Sequence, residues 1–447
     1  MMRNVIKVIA SILVFVILCA GINKGIGYIT NDDTLYFSRV AINEMYDSED
    51  IDTVYLGASV AFYALDPSYI DPKLGTNSFN LATMHQNMDG SLYLLKEAYR
   101  THHIKEVYVD VFYEIATLFE AEKRQDMTSM YLITDYTKPS LDKFFYEING
   151  SNDKHYFNTF LISRRNWQLL LDPSYIRGVI SRKLTSEYRS GGLVYKENRP
   201  NEYVGRGFVR NNKKLQTEGN LFRVTRHNPI NIDKLSPTWV KALEEIIDYC
   251  EKHDIKLHLI ATPLSNYRLL SIGNYDEFIK FINHKIEGTS ADYYDFNLLR
   301  EEYFPDTTTN FSDDHHMSCD GTLYFEEAFC KLMSGEASRE ELFYGSIEEK
   351  FETMKENVFG FVLTYGDDDD MTVTPVTTIT TGEYSYYIEV QDENKNVMWT
   401  YDTTADPGLM TADNGVHFTY ADEHCIVIVK CFVNGEQKAQ AAFELNK

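Results

Sequence analysis

Residues 53–112 alternate short apolar runs with an amphipathic helical pattern, and this alternation constrains the fold more than any other feature of the chain. Strand-like runs occupy residues 54–56, 77–82 and 106–112. Between the last two runs, residues 88–100 place leucine and alanine at helical spacing. Strands that alternate with helices in this way predict a parallel sheet joined by right-handed crossovers.

The same alternation resumes in the second half of the chain. Helical patterns occupy residues 237–252, 275–286 and 321–333, and strand patterns occupy residues 256–263 and 291–296. Five parallel strands with flanking helices indicate the α/β class. We therefore predict a flavodoxin-like three-layer α/β/α sandwich, in which ligands bind beyond the carboxyl ends of the strands.

The remaining segments are arranged around this domain. We assign residues 31–335 to the α/β domain and interpret residues 115–235 as an aromatic and basic insertion. That insertion either caps the substrate site or packs on the sheet as a structural excursion. Residues 336–358 predict a charged helical linker. Residues 359–447 contain seven short alternating runs separated by turn residues, which predicts an all-β, Ig-like sandwich.

The amino terminus has the composition of a membrane segment. Residues 8–23 carry no charge and follow Arg3 and Lys7, and the apolar run becomes long enough to cross a bilayer if Lys24 snorkels. We assign residues 1–30 to an uncleaved signal anchor of a bacterial cell membrane, with a cytoplasmic amino terminus and an extracytoplasmic remainder. Secretion after signal cleavage is the alternative, because small residues surround Cys19.

Charge and cysteine spacing exclude other classes of protein. The 447 residues carry a net charge of -24, so the chain lacks the basic surface that nucleic acids require, and we expect no nucleic-acid partner. The six cysteines show no paired spacing typical of a disulfide framework or a zinc knuckle. We expect neither a metal nor another cofactor.

Ser59 is the candidate nucleophile. It ends the triplet Gly57-Ala58-Ser59 directly after the first strand, which places its hydroxyl at the rim of the sheet. Because a Gly-x-Ser triplet also occurs in ordinary turns, a second segment is needed to support a catalytic role. Asp313 stands three residues before His316, a spacing that lets the carboxylate bind Nδ1 and leaves Nε2 free to take a serine proton.

These two segments resemble the SGNH/GDSL hydrolase family over roughly residues 50–335. Residues 313–321 follow the family pattern Asp-x-x-His-Leu-Asn-x-x-Gly, with Met317 and Ser318 in the Leu-Asn places. The likeness is strongest to the membrane-anchored cell-envelope branch, which includes relatives of the teichoic-acid D-alanyl transfer protein and the alginate O-acetyltransferases. The resemblance implies the SGNH-type sandwich and a catalytic triad of Ser59, His316 and Asp313.

The sequence departs from the family at the oxyanion hole. The family uses the serine amide, a glycine amide after the second strand and an asparagine after the third, and the last two are missing here. In the envelope branch a glutamine of an Asn-Leu-Ala-x-x-x-Gln segment occupies this region, which implies Gln86 and Asn80 as substitutes. His85 lies near the same rim and is predicted to contact substrate or to form a hydrogen bond.

Alternatives remain for the histidine segment. His315 is a second candidate base, but only His316 keeps the three-residue offset from Asp313. A metal site formed by Asp313, Asp314 and the two histidines is another alternative, although adjacent histidines seldom both reach one ion. We interpret the acidic turn at residues 367–370 as a solvated loop, with Ca²⁺ binding as the alternative.

The sequence therefore predicts an extracytoplasmic serine esterase or O-acyltransferase that acts on acylated cell-envelope polysaccharide. A membrane acyl-transfer protein is a candidate partner that would supply the donor. The alternative is a catalytically weak or inactive relative that binds glycan or scaffolds envelope assembly, which the altered oxyanion segments favour. A third interpretation is a binding protein of another class, in which the serine and histidine positions are coincidental.

Overall fold

The computed structural model describes residues 2–31, 37–118, 127–151, 156–192, 200–213, 220–223, 227–305, 307–365, 370–404, 416–419 and 424–446. The helices are α1 (Met2–Thr30), α2 (Ser38–Asp47), α3 (Ser59–Phe62), α4 (Pro67–Leu74), α5 (Met88–Thr101), α6 (Tyr113–Leu118), α7 (Thr128–Thr134), α8 (Leu141–Gly150), α9 (Tyr156–Phe160), α10 (Pro173–Lys183), α11 (Ser186–Arg189), α12 (Pro237–His253), α13 (Asn266–Ile272), α14 (Tyr275–Ile286), α15 (Cys319–Met333), α16 (Arg339–Leu342) and α17 (Ile347–Thr353).

The strands are β1 (Thr53–Leu56), β2 (Ser78–Asn80), β3 (Glu106–Asp110), β4 (Asn201–Gly205), β5 (Phe208–Asn211), β6 (Leu221–Arg223), β7 (Lys256–Ala261), β8 (Asp292–Asp295), β9 (Val358–Tyr365), β10 (Asp370–Thr377), β11 (Tyr384–Gln391), β12 (Val397–Asp402), β13 (Val416–Thr419), β14 (His424–Val433) and β15 (Glu436–Asn446). Short 3-10 helices lie at Ile162–Arg164, Trp167–Leu171, Ile232–Lys234, Phe296–Leu298 and Thr308–Asn310.

A five-stranded parallel sheet forms the centre of the α/β part, in the order β2-β1-β3-β7-β8. Thr53 stands opposite Ser78, and β1 and β2 are buried along their whole length, as expected when helices cover a parallel sheet. Phe329 of α15 packs edge-on against the rings of Tyr55 and Tyr108, while α5 contacts both α12 and β1. The predicted α/β class with a parallel sheet is confirmed.

Three of these strands end two residues earlier than the sequence predicts, at Asn80, Asp110 and Ala261. At β3 the reason is a side chain, because the Asp110 carboxylate accepts hydrogen bonds of 3.0 Å from the amides of Phe112 and Thr262. These bonds satisfy amides that would otherwise extend the strands. Burial raises the pKa of the Asp110 carboxyl to about 7. The chain thus turns away at the rim where Ser59 lies.

The predicted helical linker is interrupted. Residues 336–358 contain α16 and α17, and between these helices Phe343 forms an isolated antiparallel bridge with Leu299. Ser338 and Glu341 form a capping box at the start of α16, and Ser346 caps α17. The charged pattern fits either one long helix or two short ones. The bridge between Phe343 and Leu299 interrupts the helix, so two short helices form.

The carboxyl-terminal region forms two four-stranded sheets, in the orders β13-β10-β9-β6 and β12-β11-β14-β15. The predicted strands of this region are present, and alternate residues of β11 and β14 are buried between the sheets, which confirms separate antiparallel β-structure here. The acidic turn at residues 367–370 lies outside the described residues except for Asp370.

The insertion contributes a strand to this β-structure. Leu221–Arg223 pairs in parallel with β9, so that Leu221 stands opposite Gly360. Leu221, Tyr267 and Phe359 belong to a small buried cluster where the sheet meets the helices of the α/β part. The sequence analysis placed residues 221–223 in the insertion of the α/β domain. In the structure they form β6, which belongs to a sheet of the carboxyl-terminal region.

α1 contains an apolar stretch, Asn4–Thr30, with a mean hydropathy of 2.8 in its most apolar window, and no residue of that window is buried. It is long and apolar enough to span a membrane or to act as a signal sequence. The prediction of an amino-terminal membrane or signal segment is confirmed at this level.

Candidate active site

Ser59 begins the short helix α3 directly after β1. Gly57 makes this turn possible, because a Cβ at that position would lie 2.7 Å from Asp110 Cβ and 2.9 Å from Ala61 Cβ. Ala58 is extended, and the helix starts at the next residue. The Ser59 residue is 7% exposed and stands at the carboxyl end of a central strand, the edge at which open parallel sheets bind ligands.

His316 and Asp313 complete a hydrogen-bonded series with this serine. His316 Nε2 lies 2.7 Å from Ser59 Oγ, and His316 Nδ1 lies 2.8 Å from Asp313 Oδ2. The second carboxylate oxygen of Asp313 accepts the amides of His315 and His316 at 3.0 and 2.8 Å. Nδ1–H therefore donates to Asp313, and Nε2 accepts the hydroxyl proton of a residue 257 positions away.

The protonation states suit a general base. Burial lowers the pKa of His316, and its hydrogen bond to Asp313 only partly offsets this effect. Burial disfavours the charge on Asp313, but the hydrogen bond from His316 and the nearby histidines hold the pKa of that carboxyl well below its usual range. At neutral pH a neutral imidazole thus lies between an ionised carboxylate and a serine hydroxyl, as proton abstraction requires.

Tyr63 fixes the other side of the imidazole. Its ring meets the His316 ring edge-on, with centroids 5.5 Å apart and planes at 87°. The Tyr63 carbonyl accepts a 2.8 Å hydrogen bond from the Thr322 hydroxyl, which ties the end of α3 to α15. The serine helix and the histidine loop are therefore joined by these two contacts of Tyr63 as well as by the Ser59–His316 hydrogen bond.

A buried arginine supports the histidine loop from behind. Arg268 is 1% exposed, its Nη1 donates to Asp314 Oδ1 at 3.0 Å, and its Nε donates to the Tyr113 hydroxyl at 2.8 Å. His227 Nε2 lies 2.8 Å from the second oxygen of Asp314. Burial disfavours the charge on Asp314, but hydrogen bonds from His227 and His315 and the charge of Arg268 hold its pKa well below the usual range.

His315, the alternative base, belongs to this supporting network. Its Nδ1 lies 2.7 Å from Asp314 Oδ1, and its ring stacks on Phe112 with centroids 5.8 Å apart. His316 is the histidine whose Nε2 contacts Ser59. The geometry therefore favours His316 over His315 as the base.

The hairpin of β4 and β5, which lies inside the insertion, contacts both catalytic segments. Asn201 Nδ2 donates to the Tyr63 hydroxyl at 2.9 Å. At the other end of the hairpin, Asn211 Nδ2 donates to Ser312 Oγ at 2.8 Å and to the Met317 carbonyl at 2.9 Å, on the two sides of the His316 loop. Sequence reasoning missed both asparagines, since no motif marks them in this turn-rich region.

The hairpin turn also packs tightly against the edge strand β2. The Asn80 amide donates to the Arg206 carbonyl at 2.9 Å, and Gly207 has a φ of +81°. A Cβ on Gly207 would lie 1.7 Å from the Asn80 carbonyl oxygen, which leaves no room for a side chain. The β4–β5 hairpin of the insertion therefore packs on the edge of the sheet beside the site.

Asn80 supports the serine turn through its side chain. It is fully buried, and its Nδ2 donates to the carbonyls of Ala61 and Leu65 at 3.0 Å each. Its Oδ1 accepts the Ala82 amide at 3.0 Å. These bonds occupy both N–H groups that an oxyanion would need from this side chain.

Gln86 and His85 differ from Asn80 in exposure. Gln86 is 2% exposed, donates to Ser91 Oγ and accepts from the Thr83 hydroxyl, both at 2.9 Å. His85 is exposed in the left-handed backbone region, with φ +53°. The structure therefore brings Ser59, His316 and Asp313 together, whereas the described contacts of Gln86 lie within its own loop.

The backbone amides at the start of α3 include the Ser59 amide, which the family resemblance implies as an oxyanion donor. The amides of Ala61 and Phe62 donate to the Ala58 carbonyl at 3.1 Å each. The amides of Ser59 and Val60 precede them and are not used in the hydrogen bonds of α3. They lie at the first two positions of α3, which begins at Ser59.

The ligand atoms of Asp313, His315 and His316 lie within 4.8 Å of one another, the spacing of a metal site. Their hydrogen bonds favour a different use. Nδ1 of each histidine faces a carboxylate, and Nε2 of His316 faces Ser59. This pattern fits a serine and its base better than a set of free metal ligands.

A cavity of about 730 Å³ lies between α4, α15 and the segment that precedes the histidine loop. Its walls include Tyr69, Tyr303, Tyr324, Asp320 and Glu327. A smaller cavity of about 190 Å³ lies on the face of α5, α8 and α12. Among the described residues, the walls of these two cavities do not include Ser59, His316 or Asp313. The larger cavity is the one bounded by Asn310, close in sequence to Asp313.

Comparisons with known proteins add no assignment. No protein-family model matches the chain, and no curated protein matches it. Among solved structures, the chain is similar to a calcium-binding mutant of Bacteroides uniformis beta-glucuronidase 2, with a TM-score of 0.16 and 7% sequence identity. That similarity covers 92% of this chain and 43% of the other, so the chain spans less than half the length of that protein. A TM-score this low supports no statement on fold or function.

Proposed function

We propose that this protein is an extracytoplasmic serine esterase or O-acyltransferase of the SGNH type, which acts on an acylated carbohydrate of the cell envelope. The observation that carries the proposal is the series Ser59 Oγ, His316 Nε2, His316 Nδ1 and Asp313 Oδ2, with contacts of 2.7 and 2.8 Å. These contacts support the roles proposed for Ser59 as nucleophile, His316 as base and Asp313 as the group that orients the base.

The series supports acyl transfer in two steps. His316 takes the Ser59 proton as Oγ attacks the acyl carbonyl, and the protonated imidazole then gives that proton to the departing alcohol oxygen. The resulting acyl-serine is attacked by water or a sugar hydroxyl, which His316 deprotonates, and His316 then returns this proton to the departing Ser59 Oγ. Asp313 remains ionised and stabilises the imidazolium. The amides of Ser59 and Val60 are the proposed donors to the tetrahedral oxyanion.

The arrangement of the sheets supports the family proposal. The strand order β2-β1-β3-β7-β8 corresponds to the flavodoxin-like order 2-1-3-4-5, with the nucleophile after the first strand and the base before the last helix. We further propose that the two antiparallel sheets form an Ig-like sandwich. Both assignments rest on strand order and on the positions of the functional residues.

The proposed substrate class rests on the larger cavity and on α1. Three tyrosines and three carboxylates line that cavity, and aromatic faces beside polar groups suit the alternating apolar and hydroxyl surfaces of sugars. α1 would hold the protein at the membrane as a single-pass anchor, with the remainder outside the cytoplasm. Cell-envelope polysaccharide and a membrane acyl-transfer protein are accordingly the proposed partners.

One observation favours a second function, in which the protein binds a glycan or scaffolds envelope assembly without efficient catalysis. The side-chain amide of Asn80, a predicted oxyanion donor, is occupied by the carbonyls of Ala61 and Leu65. Gln86 is likewise bonded to its own loop. With only two adjacent amides as donors, transition-state stabilisation would be weaker than in an enzyme with three donors.

Labelling with a fluorophosphonate serine probe tests the proposal. The full chain in detergent should be labelled, and Ser59→Ala and His316→Ala should each abolish labelling. Ser334→Ala is the matched control, because Ser334 is exposed and its hydroxyl donates only locally, to the Lys331 carbonyl. Folded wild-type protein that is not labelled would exclude an activated serine and favour the glycan-binding function. Labelled protein would then be assayed for release of acyl groups from acetylated polysaccharides.

A further inference from the structure

The last two turns of α1 are built into the folded part of the protein. Asn23 Nδ2 donates to the Phe160 carbonyl at 3.1 Å, and its Oδ1 accepts the Ser163 amide at 2.9 Å. Gly27 lies so close to Ile162 that a Cβ there would be 2.5 Å from Ile162 Cγ2. At the carboxyl end of α1, Lys183 Nζ donates to the Tyr28 carbonyl at 2.6 Å. Such contacts belong to a helix that stays attached to the mature protein.

These contacts fix the height of the insertion relative to a bilayer. α1 has 29 residues, so it is about 44 Å long, whereas the hydrocarbon core of a bilayer is about 30 Å thick. The exposed aliphatic residues of α1 run from Val5 to Ile22, and Tyr28 is exposed beyond them. If they cross the core, the part from Asn23 to Thr30 extends about 12 Å beyond it, at the depth of the lipid headgroups.

We call residues 156–171 the collar, because this segment packs around α1 at that depth. Phe160 and Ser163 of the collar bind Asn23, and both 3-10 helices of the collar contact α1. The collar also exposes large apolar side chains to an unusual degree: Phe157 (62%), Leu161 (41%), Trp167 (51%) and Leu171 (74%). Isolated exposed hydrophobic residues are ordinary, but four within fifteen positions beside a membrane helix require a partner.

The chemistry of the collar suits the boundary between hydrocarbon and headgroups. Tryptophan and phenylalanine beside arginine are typical of protein segments at this depth, since the rings enter the acyl region and the cations reach the phosphates. The Arg164 guanidinium lies 5.6 Å from the Phe157 ring centroid. Phe144 of α8 extends the aromatic surface, with its ring 6.2 Å from that of Phe160.

We propose that the collar is a lipid-binding surface that seats the protein in the outer boundary of the same membrane that α1 crosses. The apolar side chains of Phe157, Leu161, Trp167 and Leu171 enter the bilayer, and α1 is retained as its anchor. Together the span and the collar hold the catalytic domain at one height and one orientation, whereas a flexible tether would let it rotate.

Trp167 provides the test, because the chain contains only three tryptophans. Trp239 is 1% exposed, and Trp399 is half-buried in β12. The full chain is placed in nanodiscs of phosphatidylcholine that carries bromine either near the glycerol end or near the methyl end of the acyl chains. We expect emission to be quenched most strongly by bromine near the glycerol end. Trp167→Phe should lose this quenched component, and Trp399→Phe should keep it.

Quenching by iodide, which stays in water, distinguishes a Trp167 side chain buried in lipid from one exposed to solvent. Iodide should not reach Trp167 in nanodiscs, whereas it should quench this residue in wild-type protein held in a polymer that leaves no continuous bilayer. If Trp167→Phe shows the same bromine quenching as the wild type, or if iodide quenches Trp167 in nanodiscs, the collar faces water and the proposal is wrong. The second result would indicate instead a surface for another protein.

Discussion

The ionisation of His316 controls whether Ser59 can be activated, because only the neutral imidazole accepts a proton. Burial lowers the pKa of His316 from its ordinary value of 6.5. The neutral fraction falls as pH falls through the pKa of the folded state, so reactivity should be present above that pKa and lost below it. The carboxyl of Asp313 ionises at still lower pH and does not limit this range.

We therefore expect the rate of fluorophosphonate labelling to decrease on acidification with a midpoint below pH 6.5. The measurement is the initial labelling rate of the full chain across a pH series, with the folded state verified by circular dichroism at each point. A midpoint at or above 6.5 would contradict the geometry, because it would mean that the reactive imidazole is either exposed or more strongly stabilised by a carboxylate than the structure shows.

Asp313→Asn should slow labelling by about 10³- to 10⁴-fold, since an amide at this position favours the wrong imidazole tautomer. Asp248→Asn is the control, because Asp248 is an exposed carboxylate on α12, away from the histidine loop. Equal rates in Asp313→Asn and the wild type would show that His316 needs no orienting carboxylate.

The sequence could identify Ser59, His316 and Asp313 because short spacings mark them: a small residue two positions before a serine and a carboxylate three positions before a histidine. It could not identify Arg268, which is 1% exposed in the middle of a helical pattern and looks like an ordinary surface arginine in sequence. Its partners Tyr113 and Asp314 are 155 and 46 positions away. Only the folded chain reveals such a network.

At the scale of elements, the hairpin of β4 and β5 has the largest influence on the site. Asn211 is 4% exposed and bridges Ser312 and Met317 on the two sides of the His316 loop. Asn211→Ala should destabilise the fold by about 1–3 kcal/mol, because a buried carbonyl loses its donor, and should slow labelling at Ser59 further than the stability loss explains. Labelling below the unfolding transition measures the second effect.

Asn212→Ala serves as the neighbouring control for that variant, since Asn212 is exposed. If Asn211→Ala and Asn212→Ala label at the same rate, the hairpin does not position the histidine loop. The comparison distinguishes a positioning role from general loss of stability, because the labelling rate is read on folded protein.

The turn of the same hairpin offers a test of close packing. Gly207→Ala would place a Cβ 1.7 Å from the Asn80 carbonyl oxygen, and the backbone there already has a φ of +81°. Gly191→Ala is a matched control, because Gly191 has a similar φ of +88° but a Cβ there would have no atom of the described residues within 4 Å. Thermal unfolding should show a much larger loss for Gly207→Ala; equal losses would mean that the hairpin is not held against β2.

Elements with strong periodicity were predictable, and elements that depend on distant partners were not. Tyr275–Ile286 matches the predicted helix at both ends, because its amphipathic pattern and flanking residues agree. β6 has only three residues and no alternation to mark it, and it exists because Gly360 admits the Leu221 carbonyl, where a Cβ would lie 2.2 Å away. Likewise the linker is divided into two helices by the bridge between Phe343 and Leu299, which no local sequence pattern predicts.

At the scale of the whole molecule, the carboxyl-terminal β-structure contacts α13, the helix that carries a residue of the candidate site's support. Tyr267 of α13 is 1% exposed, and its hydroxyl donates to the Phe361 carbonyl of β9 at 3.0 Å. The next residue, Arg268, supports Asp314 behind the histidine loop. The strand β6 and the cluster around Leu221 join the same surfaces. Tyr267 and Arg268 are thus neighbouring residues that link the carboxyl-terminal β-structure to the support of the histidine loop.

Tyr267→Ala should weaken this junction by removing a buried ring and a hydrogen bond to β9, a loss of about 3–5 kcal/mol for a large buried aromatic. Because the junction couples the two parts, wild-type protein should unfold in one calorimetric transition, and the variant should show two, with the α/β transition at the lower temperature.

Tyr324→Ala, at a tyrosine 46% exposed on α15, is the control and should keep one transition. Two transitions already present in the wild type would mean that the β-sheet region unfolds independently of the α/β part. One transition in Tyr267→Ala at an unchanged temperature would mean that Tyr267 does not hold the junction together. In that case fluorophosphonate labelling should not respond to Tyr267→Ala, whereas coupling through Arg268 predicts that the labelling rate falls together with the stability of the α/β part.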